Sequence, residues 1–109
     1  MANVEIVHVA IPEGNAVRGK DPVTVGVTVA PSWFKEAEDL VIKFIYAATL
    51  EGTEYLYNDD ITVENSTEIN FMVKAEHGAS PGEYYVQIKK KSSGETIASG
   101  PDDGTITVS

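Results

Sequence analysis

Residues 23–29 read Val23-Thr24-Val25-Gly26-Val27-Thr28-Val29. Four valines alternate with Thr, Gly and Thr. A strand sends successive side chains to opposite faces, so this period of two places the valines on one face and the small polar residues on the other. That is a half-buried strand of an antiparallel sheet. Three further runs repeat the pattern. In Thr67 to Lys74, Ile69, Phe71 and Val73 point inward. Tyr84, Val86 and Ile88 alternate with Tyr85, Gln87 and Lys89, and Thr105 to Val108 closes the chain in the same way. Leu40 to Ala47 is apolar on both faces except at Lys43, which predicts a central strand covered on each side. Val4 to Ile11 changes phase near Ile6-Val7, which predicts either a bulge or an edge strand that switches sheets.

Turn chemistry separates these runs. Pro12-Glu13-Gly14-Asn15, Arg18 to Pro22, Glu51-Gly52, Asn58-Asp59-Asp60, Gly78 to Gly82, Ser92-Ser93-Gly94 and Gly100 to Gly104 supply the residues that turns require. The Asn58-Asp59-Asp60 stretch is expected to break the tyrosine-bearing segment from Ile61-Thr62-Val63, and Gly100 to Gly104 to interrupt the last strand. One stretch reads as helical: Pro31 to Leu40 puts Trp33, Ala37 and Leu40 on one face, with Ser32 as N-cap. It predicts a short helical turn near residues 32–39.

The chain has 109 residues, 42% of them apolar and 23% charged. This length predicts a single domain over residues 1–109 that buries roughly 65% of its unfolded surface and folds without staples. Seventeen Asp and Glu face eight Lys and Arg, for a net charge of −9. Nucleic acid is therefore not the expected partner, because phosphate binding needs a dense basic face. Cysteine is absent, which removes disulfides, thiolate nucleophiles and cysteine metal sites. No basic start with an apolar run marks a secretory signal. No apolar stretch approaches the ~20 residues of a membrane-spanning helix, so membrane insertion is not expected.

Seven or eight short strands with turn signals between them, and no long helix, predict an all-β antiparallel sandwich. Pro22 to Val29 as second strand and Ser80-Pro81-Gly82-Glu83-Tyr84-Tyr85-Val86-Gln87-Ile88 as sixth carry a resemblance to immunoglobulin-like and fibronectin-type sandwich modules of phage virion and cell-surface proteins. The likeness is generic and spans nearly the whole chain. It implies that Tyr84, after the Pro-Gly-x-Tyr turn, makes the corner hydrogen bond of the sandwich. The chain departs from antibody domains in lacking both cysteines, and Trp33 precedes the central strand instead of lying in it.

Few residues point to chemistry. His8 and His77 carry no nucleophile signature around them, and no catalytic set is expected. Asp59-Asp60 and Asp102-Asp103 are turn residues by composition; either loop is also a candidate source of calcium ligands, Asp102 and Asp103 above all. Tyr55, Tyr57 and Tyr85, with Trp33 and Phe34, either pack internally or form an aromatic binding face for protein or glycan. Trp33-Phe34 reads as a plug for one end of the sandwich. Within Lys89-Lys90-Lys91, Lys89 and Lys91 are expected at the solvent side, as edge protection or as a contact to an acidic partner. Asn65-Ser66-Thr67 fits the N-glycosylation pattern, read as a chance match.

These readings favour a non-enzymatic structural or interaction module. The resemblance implies a decoration or auxiliary protein on a phage or virus particle, made in the cytoplasm, with a capsid or tail protein as partner. The alternative is an extracellular adhesion or carbohydrate-binding module from a larger surface protein.

Overall fold

Four valines on one face of a strand need a second apolar layer, and the chain supplies one. The computed structural model describes residues 4–11, 14–100 and 103–109. Among them lie nine strands: β1 (Glu5–Ala10), β2 (Val23–Ala30), β3 (Leu40–Tyr46), β4 (Glu51–Gly52), β5 (Leu56–Asn65), β6 (Glu68–Ala75), β7 (Gly82–Lys90), β8 (Thr96–Ala98) and β9 (Ile106–Val108). They form two antiparallel sheets packed as a sandwich. The first runs β1-β2-β6-β5; the second runs β4-β3-β7-β8, with β9 also paired to β7.

The alternation decides the core. Val23, Val25, Val27 and Val29 are all buried, and so are Ile69, Phe71 and Val73 beside them on β6. Leu40, Ile42 and Phe44 of β3 and Tyr84, Val86 and Ile88 of β7 line the facing layer. Phe44 meets Phe71 across the two sheets with ring centroids 6.3 Å apart. The Cα radius of gyration is 13.0 Å, matching the roughly 13 Å of a compact chain this long.

The bulge reading of the first strand's phase change holds. The register slips between Ile6 and His8, leaving Val7 exposed. The chain then crosses over, and Ala16 pairs in parallel with Val108 of the second sheet. The Ala16 N–H donates to the Thr107 carbonyl, and the Ser109 N–H to the Ala16 carbonyl, both at 2.9 Å. The last strand is split into β8 and β9. At the break, the Ser99 hydroxyl accepts the Val86 N–H at 2.8 Å, substituting for a ladder carbonyl. At the corner before β7, the Tyr84 O–H donates to the Ser80 carbonyl at 2.7 Å. Burial first, and then Tyr46, raises the Tyr84 hydroxyl pKa above its ordinary value, so the donor keeps its proton into alkaline solution.

Three local expectations are corrected. Residues 32–36 are not helical, and the turn shrinks to a 3-10 segment, Ala37–Asp39, capped by Glu36 without a side-chain bond. The reason is tertiary. The Ser66 carbonyl accepts both the Trp33 and Phe34 N–H groups, at 2.7 and 2.9 Å, and both neighbouring rings are buried. Ser32 instead accepts a hydrogen bond from the Ser66 hydroxyl at 3.0 Å. Asn58-Asp59-Asp60 does not end a strand: β5 runs through it on a bulge, with Asp60 at φ 53° and its N–H on the Asp59 carboxylate. Finally, β3 is not covered on both faces. It lies one place from the edge, beside the two-residue β4.

Candidate functional site

The uncovered side of β3 is the most distinctive surface. Pairing sets Val41 opposite Lys89, Lys43 opposite Gln87 and Ile45 opposite Tyr85. All six point away from the core, because they alternate with the buried Leu40, Ile42, Phe44, Val86 and Ile88. Val41, Ile45 and Tyr85 are half-buried, and Lys43 and Lys89 stand exposed among them. Among the described residues no element of the fold lies over this face. It is a mixed face, with Lys43 and Gln87 as its middle row between Val41–Lys89 and Ile45–Tyr85, on a chain of net charge −9. Tyr85 and Lys89 were singled out from sequence. Val41, Lys43 and Ile45 were not, although the two-faced apolar run from Leu40 was their signal.

Trp33 and Phe34 close the end of the sandwich near the β7–β8 turn. They pack edge to face at 5.6 Å and are 6% and 2% exposed, so little ring surface is left for a partner. The Lys90 ammonium caps the Trp33 ring at 4.6 Å from its centroid, a cation–π contact. Lys90 thus faces inward, while Lys89 and Lys91 on either side are exposed.

The same end is tied by Asp39. Its carboxylate accepts the Ser92 N–H at 2.8 Å and the Ser92 O–H at 2.7 Å. The Ser92 side-chain bond is the largest cause holding the Asp39 carboxyl below its ordinary 3.8, with the Ser92 backbone bond, Lys90 and Lys91 adding to it against desolvation. A depressed carboxyl pKa contributes stability above the unfolded value, and that contribution is lost as pH falls through the folded one. Asp39→Asn is therefore expected to destabilise the chain at neutral pH and to converge with the native chain below about pH 3.8. Urea midpoints measured from pH 7 to pH 2.5 check this; a constant difference across the range would refute it.

The other tyrosines serve different places. Tyr57, 43% exposed, stands on the outer face of the first sheet opposite Lys74. Tyr55, 52% exposed, lies over Gly78 at the sandwich end away from Trp33. There it lines a groove with Tyr46 and Tyr84. The structure does not gather Tyr55, Tyr57 and Tyr85 into one stripe.

The remaining candidates are scattered. His8 is exposed on β1, and His77 is exposed in the β6–β7 turn against Gly19. The Asp103 carboxylate accepts the Gly100 N–H at 2.8 Å; Asp102 lies outside the described residues. Among the described residues no three His, Asp or Glu side chains converge as a metal site, and every buried side-chain nitrogen or oxygen has a partner. In Asn65-Ser66-Thr67, the Asn65 side-chain oxygen accepts the Thr67 N–H at 2.9 Å and the Thr67 O–H at 2.8 Å, which forms the β5–β6 turn.

Comparison with known proteins adds no relative: no protein-family model matches the chain, and no curated protein matches it significantly.

Proposed function

We propose that this chain is a non-enzymatic docking module, and that it decorates a phage or virus particle by binding a capsid or tail protein. The observation that carries the docking role is the outer face of β3 and β7. Apolar side chains interleaved with the cations Lys43 and Lys89 suit a partner patch that sets acidic groups among apolar ones. The particle as the place of docking rests on the generic likeness carried by Pro22 to Val29 and Ser80 to Ile88. The alternative, an extracellular adhesion or carbohydrate-binding module, is favoured by a different observation, the tyrosine-lined groove at the far end.

Density-gradient fractionation of the native source separates the two. The chain is expected to band with particles at a fixed copy ratio to one capsid or tail protein. Recovery in the cell envelope or the medium would overturn the decoration reading. With particles in hand, the double change Lys43→Glu and Lys89→Glu is expected to weaken retention about tenfold, because the reversed charges repel the acidic groups of such a patch. Retention unchanged by the double change would move the docking surface elsewhere on the chain.

A further inference from the structure

Three phenol rings meet where β3 ends, β5 begins and β7 begins. They line a groove of about 280 Å³. Each ring is held. The Tyr46 O–H donates to the Pro81 carbonyl at 3.0 Å, and its ring packs against Gly82. Tyr84 is anchored to Ser80, and its ring is 5.0 Å from that of Tyr46. Tyr55 rests on Gly78 so closely that a Cβ there would lie 2.5 Å from the ring. The aromatic wall is thus set before any ligand arrives, which removes an ordering cost from binding.

The rim is polar. The Thr49 hydroxyl oxygen accepts the Glu51 N–H at 3.3 Å, and the Thr53 hydroxyl oxygen accepts the Tyr55 N–H at 3.1 Å. Both O–H protons remain to be donated outward. The Glu51 carboxylate stands in the same groove and is exposed. A half-exposed aromatic face, two hydroxyl donors and one carboxylate acceptor therefore border a single space.

We propose that this groove is a carbohydrate subsite that takes one neutral pyranose ring. The weakly positive C–H face of the sugar stacks on the negative face of Tyr55. Glu51 accepts from a pair of neighbouring sugar hydroxyls, and Thr49 and Thr53 donate to sugar oxygens. Acidic sugars are rejected, because Glu51 and the net charge of −9 oppose them. The volume falls just below the roughly 300 Å³ at which ordinary ligand pockets begin, so one ring is the natural occupant. The subsite rests on the carbohydrate-binding reading of the groove; it shares no residue with the outer face of β3 and β7, so its test is separate from that of particle docking.

The test is a titration of the ¹⁵N-labelled full chain with methyl glycosides of glucose, galactose, mannose and N-acetylglucosamine, with methyl sialoside as the acidic control. At least one neutral glycoside is expected to shift amides of residues 46–55 and 76–80, with a millimolar Kd. The sialoside is expected to shift none of them. Tyr55→Ala is expected to weaken binding at least tenfold, and Tyr57→Ala, at the other exposed tyrosine, to leave it unchanged. Glu51→Gln keeps every aromatic contact and is expected to weaken binding severalfold, so the proposal remains testable if Tyr55→Ala disturbs the fold. If none of the four neutral glycosides shifts these amides at 100 mM, or if Tyr57→Ala and Tyr55→Ala weaken binding equally, the proposal is wrong.

Discussion

Replacing Phe71 with alanine is expected to be the most damaging single change in the core. Phe71 is 1% exposed at the middle of β6 and opposite Val25 in the ladder. Its ring is the first sheet's contact with Phe44 of the second, tilted at 52°. Truncating a buried phenylalanine costs about 3–5 kcal/mol, from lost transfer energy plus the cavity left behind. Against a total stability of about 5–15 kcal/mol for a domain, that is a large fraction. At this size each kcal/mol is worth roughly 4–8 °C, so the midpoint should fall on the order of 20 °C. Thermal unfolding followed by far-ultraviolet circular dichroism measures it. Phe71→Leu keeps most of the volume and should cost less than about 2 kcal/mol. A loss under about 1 kcal/mol for the alanine variant would mean that the two sheets do not meet through this ring.

Gly104→Ala is the second large effect, and its cause is backbone geometry. Gly104 has φ +99°, and a Cβ there would overlap the Val9 carbonyl oxygen. The neighbouring Val9 N–H donates to the Asp103 carbonyl at 2.6 Å, so β1 is held tightly against this segment. The overlap is with backbone, and no side-chain rotation relieves it. Gly94 supplies the comparison. It also has positive φ, +78°, in the β7–β8 turn, but a Cβ there meets nothing within 4 Å. Gly94→Ala should cost only conformational strain, about 1 kcal/mol. Gly104→Ala should cost roughly 2–4 kcal/mol, because β1 must also move. Urea midpoints of the two variants, read from Trp33 fluorescence, separate strain from collision. Equal losses would show that the Val9 contact is not tight.

The surface differs from the core in how far it could be read ahead. Tyr85 and Lys89 follow from the alternation of one strand, and their exposure needs nothing else. Their partners Val41 and Ile45, with Lys43 between them, lie forty or more residues earlier, and only the pairing of β3 with β7 joins them. The double-sided apolar run was visible, but sequence could not say whether its second face was covered by the fold or left for a partner. Tyr55 and Tyr57 sit two residues apart, which suggests one shared face. Tyr55 precedes β5 and turns over Gly78, whereas Tyr57 is on the strand. Periodicity holds only inside an element.

Which side of each strand is buried follows from local sequence. The side-chain period of two is local, and a valine or isoleucine on the wrong side would lose its whole burial energy. That argument reaches β2, β6, β7 and β9 without any knowledge of neighbours. Tertiary structure alone decided the order of the strands, and therefore which surfaces exist. It confined the expected helical turn to Ala37–Asp39, because one Ser66 carbonyl, more than thirty residues away, accepts the consecutive N–H groups of Trp33 and Phe34. It also assembled the tyrosine groove from residues 46, 55 and 84. Contacts between distant segments have no local signature: their energy depends on where the two chains meet, and the residues at each end satisfy their own strand or turn equally well before that meeting occurs.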